Sequence, residues 1–305
     1  MREHVGRVLS ALVALPLLYG AVRFLPLPLF AVLIAAVVFL AQIEFYRMTL
    51  GARPRLSVTL DRHDGPAARR ARYAVVGVGA VAGAGIVVIA SQPAWAAGLP
   101  LLATALVMAV GVTALARGND LASRERGGQD WRQASTDAAL AVFGVWYVAW
   151  LFAHFVSLRE LRGGEWLVFF VLWVTWIGDA AAYYVGRAIG KTPLAPRLSP
   201  KKTVAGAVGG VAASAAAAVI AAAWFVDGFS WPEAVGVGIG GGLAGMAGDL
   251  VESMFKRGAG VKDSGGLVPS HGGFLDKIDG LLFTAPLFYY YLVWVKGYGA
   301  HGVAG

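Results

Sequence analysis

Hydrophobic residues in this chain fall in long blocks separated by short charged stretches. A run of roughly 18 or more residues nearly free of charge has the length a helix needs to cross a bilayer. Nine such segments stand out, at about 7–22, 26–45, 73–91, 94–115, 136–157, 166–186, 204–226, 232–252 and 280–296. The pattern predicts an all-α polytopic membrane protein with about nine transmembrane helices. The first segment is short and holds Pro16, and the eighth is rich in glycine and runs out into charge. Met1 to Arg7 followed by an apolar run has the outline of a signal peptide. No small-x-small cleavage site follows, so a retained first helix is expected.

The polar positions test this count. With the N-terminus placed in the cytoplasm and the spans alternating, the 26 Lys and Arg residues sort by side. All but Arg23, Arg159, Arg162 and Lys296 fall on the inner side. Basic residues concentrate in cytoplasmic loops, so the expected topology is N-terminus inside and C-terminus outside. One helix more or fewer would scramble the alternation. The net charge of +8 is then loop charge, and no nucleic-acid partner is expected. The loops at 46–72 and 116–135 are too short to enclose a core of their own. Two regions are expected: 1–165, about five helices with basic cytoplasmic loops, and 166–305, a catalytic region of about four helices.

Composition adds little beyond agreement. The chain of 305 residues is 58% hydrophobic and 14% charged, against roughly 25% charged in soluble domains. Cysteine is absent, which excludes disulfides, thiolate metal sites and thiol nucleophiles. Gly206 and Gly210, and Gly241 and Gly245, have the small-xxx-small spacing of closely packed membrane helices.

Charge at the ends of membrane helices is expensive and marks candidate chemistry. Three such places lie on the inner side. Asp179 and Tyr183 are four apart in the sixth segment and share a helix face; taken alone, a structural Asp and a functional one are equally compatible. Ser199-Pro-Lys201-Lys202-Thr203 opens the seventh segment. Backbone N–H groups, hydroxyls and ammonium groups there suit a phosphate, although a lysine pair before a span is also ordinary loop charge.

The third place is the densest. Asp249, Glu252, Ser253 and Lys256 are spaced i, i+3, i+4, i+7 and line one face of a helix end. Arg257, Lys262 and Asp263 follow, then His271-Gly-Gly273 and Asp276-Lys277-Ile-Asp279. Two carboxylate-bearing helix ends are expected to face each other across a glycine-rich loop. Carboxylates with no Cys and one His favour a hard cation such as Mg²⁺. Interleaved Lys and Arg suit a polyphosphate, as in nucleotidyl transfer. Zinc would require three or four N or S ligands, which are not here.

Ser253-x-x-Lys256-Arg257-x4-Lys262-Asp263, continuing to His271-Gly-Gly-x-x-Asp276-x-x-Asp279, closely resembles the signature of phosphatidate cytidylyltransferases, also called CDP-diglyceride synthases. The resemblance extends to Ser199–Thr203 with Gly206, and to Trp176, Asp179, Tyr183 and Gly186, so it covers about 170–296. The chain departs from the family pattern at Lys277, where Arg is usual, at Ser270, where Gly is usual, and at Met246-Ala247, where Gln is common. Lys277 keeps the charge and loses bidentate geometry.

The resemblance implies a membrane enzyme that joins CTP and phosphatidic acid, with Mg²⁺ and room for a second metal ion. It implies metal binding by Asp249, Asp276 and Asp279. Catalytic roles at the reacting phosphates are implied for Ser253, Lys256, Arg257, Lys262, Asp263 and His271. Substrate binding is implied for Asp179, Tyr183, Ser199, Lys201, Lys202, Thr203 and Lys277. The implied location is the inner (cytoplasmic) membrane, with the site facing the cytoplasm and membrane lipids around it. A homodimer fits the glycine-rich helices and the family. Two other readings stay open: a CTP-dependent polyprenol or phytol kinase or a CDP-archaeol synthase, and a transporter. A transporter is disfavoured by the lack of an internal repeat and by polar groups gathered at one interface.

Overall fold

The apolar blocks become helices, and the breaks between them fall at glycine, proline and charge. The computed structural model describes residues 14–51, 66–90, 104, 106–112, 129–266 and 272–298. The helices are α1 (Ala14–Phe24), α2 (Leu27–Gly51), α3 (Pro66–Ala90) and α4 (Gln129–Gly144). A π-helical turn, Val145–Trp150, joins α4 directly to α5 (Leu151–Glu160). Then come α6 (Gly164–Ile189), α7 (Val204–Trp224), α8 (Trp231–Gly258) and α9 (Asp279–Tyr290). A second π-helical turn, Tyr291–Val295, closes α9.

Among the described residues, five helices are long and apolar enough to cross a membrane: Leu27–Leu50, Ser135–Glu160, Gly164–Ile189, Val204–Trp224 and Trp231–Gly258. Ala14–Phe24 and Val76–Ile89 are apolar but shorter. The first expected segment begins outside the described residues, and the fourth is described only at 104 and 106–112. The ninth is a 12-residue helix holding Pro286, which has no N–H for the ladder.

One element departs from an all-helical chain. Pro193–Ala195 (β1) and Ser199–Thr203 (β2) pair antiparallel, with Pro193 opposite Thr203 and Ala195 opposite Ser199. Pro193, Pro196 and Pro200 remove helical donors and push their neighbours toward extended backbone. Thr203 ends the hairpin and starts α7, its hydroxyl accepting the Gly206 N–H at 3.1 Å.

Two other boundaries have local causes. Gly163 has φ +71, a left-handed conformation that suits glycine and allows the sharp turn from α5 into α6. α8 begins with a Ser230/Glu233 capping box and runs past the expected end at 252 to Gly258. Its last turn holds Lys256 and Arg257, cations that suit the negative end of a helix.

Small residues set the spacing of α6, α7 and α8. A Cβ at Gly206 would lie 2.6 Å from the Ala182 carbonyl, and one at Gly238 would lie 2.6 Å from Ala215 Cα. A Cβ at Gly248 would lie 2.4 Å from the Asp279 carbonyl, so α8 and α9 touch backbone to backbone beside their carboxylates. In the first half, aromatic side chains fill the core. Phe45, Phe143 and Tyr147 cluster with Phe255 of α8, with ring centroids 5.2 Å apart for Phe45–Phe255.

Candidate active site

The close packing of α6, α8 and α9 gathers four carboxylates. Asp249, Glu252 and Asp279 each offer an oxygen within 4.8 Å of the others. Asp249 and Asp279 line one cavity of ≈ 760 Å³ together with Asp179 of α6, while Glu252 is buried behind its wall. That volume falls in the usual range for small-molecule sites. Tyr183, Arg187, Lys201 and Lys202 line the same cavity, so a cationic hairpin faces an anionic cluster.

The polar contacts arrange these charges. Lys202 of β2 forms an ion pair with Asp249. Lys256 forms one with Glu252, one turn back on α8, and another with Asp276 Oδ1 at 2.6 Å. Arg257 donates to the Leu198 carbonyl at 3.1 Å and to the Val261 carbonyl at 3.1 Å, tying the hairpin to the end of α8. Arg187 donates to the Tyr183 hydroxyl at 3.2 Å.

Glu252 is fully buried, and its Oε1 has no hydrogen-bond partner among the described residues. A buried acceptor left open beside two further carboxylates is a donor set of hard oxygens. It fits a divalent cation of the Mg²⁺ type. Asp276, expected alongside Asp249, stands outside this cluster. Its second oxygen, Oδ2, accepts from Ser264 N–H (3.1 Å), Ser264 Oγ (3.0 Å) and Gly273 N–H (2.9 Å). Partial burial opposes its charge, but the hydrogen bonds from Lys256 and its neighbours prevail and hold the carboxyl down at about 2.

The other expected residues divide by position. Asp179, Tyr183, Lys201, Lys202, Thr203, Asp249, Asp276 and Asp279 line the cavity. Ser253 is buried on α8 behind it. Ser199 stands in the hairpin opposite Ala195. Lys262, Asp263 and Lys277 are exposed and lie off the cavity wall. His271 and Ser270 lie outside the described residues.

Three residues were given no role at the site from the sequence. Glu252 carried a readable signal, the i, i+3 spacing from Asp249, yet its place in the carboxylate cluster was not expected. Tyr147 is buried in the π-helical turn, and its hydroxyl has no partner among the described residues. Glu44 comes from α2, far away in sequence, and holds the loop that carries Asp276: its Oε2 accepts from Leu275 N–H at 2.9 Å and shares the Ser264 hydroxyl proton with Asp276, at 3.3 Å, while its Oε1 has no partner among the described residues.

The chain is similar to several known proteins. Over 122 residues the chain is 47% identical to a protein of Synechocystis sp. named phosphatidate cytidylyltransferase, covering 39% of this chain and 40% of that one. Over 138 residues it is 43% identical to a protein of the same name from Brucella suis, covering 44% and 51%. Over 153 residues it is 39% identical to the uncharacterized protein YnbB of Escherichia coli, covering 50% of each. The chain spans about half the length of the curated relatives it matches. The match to the family as a whole is broader: residues 5–295 fit the model of the cytidylyltransferase family. With that match running almost end to end, this chain belongs to the cytidylyltransferase family.

Proposed function

We propose that this protein is a phosphatidate cytidylyltransferase, joining CTP to phosphatidic acid to give CDP-diacylglycerol and pyrophosphate. The observation that carries the reading is the cavity lined by Asp249, Asp279 and Lys202, with buried Glu252 completing the carboxylate cluster, at the ends of long apolar helices. The names of the Synechocystis and Brucella relatives support the substrate pair.

In this reading a phosphate oxygen of phosphatidic acid bonds to the α-phosphorus of CTP. The bond from that phosphorus to the oxygen bridging the β-phosphate breaks, and pyrophosphate leaves with the electron pair. The lipid phosphate is already an anion, so no general base is assigned. Lys201 and Lys202 on the hairpin hold the triphosphate, and the Lys202–Asp249 pair opens as the phosphates arrive. Lys256 pairs with both Glu252 and Asp276 and ties the end of α8 to the Asp276 turn. Asp249, Glu252 and Asp279 would hold Mg²⁺, which offsets the charge of the phosphates as the transfer proceeds. Tyr183 and Arg187 at the cavity rim bind the nucleotide or the lipid head group.

The cavity faces the cytoplasm of the inner membrane in this reading. The support is the basic hairpin and the basic end of α8 at the same end of the bundle, the side where Lys and Arg concentrate. CTP reaches it from water, and phosphatidic acid reaches it from the bilayer.

The test is turnover by detergent-solubilised protein given labelled CTP, phosphatidic acid and Mg²⁺. Expected is a chloroform-soluble cytidine product that a chelator abolishes. A product carrying only a transferred phosphate would identify a lipid kinase instead. The chain has no cysteine, so single cysteines at Lys262 and Lys296 report sidedness by membrane-impermeant labelling. Labelling of Lys262→Cys from outside intact cells would overturn the cytoplasmic placement.

A further inference from the structure

Glu44 is the only carboxylate of α2, lying between Gln42 and Arg47, and it is only 1% exposed. Its Oε2 accepts from the Leu275 backbone N–H and from the Ser264 hydroxyl. Ser264 in turn holds Asp276 Oδ2 through its N–H, and its single hydroxyl proton is shared between Asp276 Oδ2 at 3.0 Å and Glu44 Oε2 at 3.3 Å. Leu275 opens the short 3₁₀ turn Leu275–Lys277, in which Asp276 is the next residue. One buried carboxylate thus contacts both strands of the loop that carries Asp276.

The loop is shaped to admit it. A Cβ at Gly265 would lie 2.4 Å from Glu44 Oε1, and one at Gly273 would lie 1.8 Å from Ser264 Oγ. Phe45, next in the chain, packs edge-on against Phe255, next to Lys256. Lys256 closes the circuit by bonding Asp276 Oδ1. Burying a carboxylate is unfavourable unless it is well hydrogen-bonded. An apolar side chain of similar size at 44 would satisfy the helix better, so the acceptor itself is what this position supplies.

We propose that Glu44 is a positioning residue for the transfer site. It acts through Ser264 and Leu275 to hold the Asp276 turn against Lys256, making α2 part of the machinery. The inference rests on the reading of the cavity as a cytidylyl-transfer site, and its structural half stands apart from that reading.

The experiment compares Glu44→Leu with Glu44→Gln in the full-length, detergent-solubilised protein. Leu fills similar space without an acceptor, whereas Gln keeps one acceptor oxygen. For Glu44→Leu, kcat should fall about 10–100-fold, the usual penalty for losing an outer hydrogen-bond partner, with a smaller change in KM for CTP. Amide exchange across 264–278 should quicken. Glu44→Gln should recover both to within about threefold. If Glu44 merely fills space, Leu will match wild type in turnover and exchange, and the proposal fails. It also fails if Gln is as impaired as Leu. Should Glu44→Leu not fold, Ser264→Ala removes one donor from the opposite side. Faster exchange across 272–278 with lower kcat supports the proposal, and unchanged values overturn it. If wild-type protein transfers no cytidylyl group, the functional reading is at fault, while the exchange comparison still decides whether Glu44 holds the loop.

Discussion

Glycine makes room for side chains in the first half of this molecule, and for backbone as well as side chains in the second. In α3 and α4 it makes sockets for side chains. A Cβ at Gly79 would meet the Tyr46 hydroxyl at 2.5 Å, and one at Gly83 would meet the Gln42 carboxamide at 2.0 Å. In α6 to α8 some glycines still meet side chains, as Gly178 does at Ser214 and Gly241 at Phe288, but others admit backbone: Gly206 against the Ala182 carbonyl, Gly238 against Ala215 Cα, Gly248 against the Asp279 carbonyl. A side-chain tip can swing aside, whereas helix backbone cannot move without its whole helix. The first half is therefore a tolerant scaffold of interlocked side chains. The second is a rigid frame whose charged groups stay where the backbones put them, as preorganised electrostatics require.

The comparison yields graded expectations. The largest effect falls on the groups the frame presents. Asp249→Ala should lower cytidylyl transfer on the order of 10²–10³-fold without lowering the thermal midpoint; near-normal turnover would remove Asp249 from the site. Next is Gly248→Ala, where the added methyl first meets the Asp279 carbonyl and the Phe283 ring. Overpacking of this kind costs about 1–3 kcal/mol, and a shift of about 1 Å at Asp279 would cost turnover about 10²-fold. A wild-type rate in this variant would break the contrast, because it would mean that the backbones yield. The smallest effect is expected for Gly79→Ala. Tyr46 must give way, weakening its 2.8 Å bond to the Ala141 carbonyl. The loss should be about 1 kcal/mol, read in thermal unfolding, with kcat within about twofold of wild type.

Legibility in the sequence followed the same divide. Long apolar blocks announced α6, α7 and α8 because hydropathy and length are local properties. The predicted segments 166–186, 204–226 and 232–252 correspond to Gly164–Ile189, Val204–Trp224 and Trp231–Gly258. The longer reach of α8 reflects its charged last turn, which lowers hydropathy without breaking a helix. Asp249 and Glu252 could be placed on one face from spacing alone. What spacing could not say is that Asp276 would spend both its oxygens on Lys256, Ser264 and Gly273, because loop closure is tertiary. The hairpin was hidden by its shortness and its prolines. Glu44 was hidden by distance: nothing within α2 marks a carboxylate whose partners are 220 and 231 residues away.

That distance has a consequence for biogenesis. A chain enters the membrane from its N-terminus onward, so α2 is delivered while Ser264 and Leu275 are still untranslated. For that interval Glu44, at the inner end of its expected span, lacks the donors that later satisfy it, an unfavourable state for a carboxylate at the edge of a bilayer. Seating of the Asp276 loop ends it, so the step that completes the loop also relieves the first half of the chain.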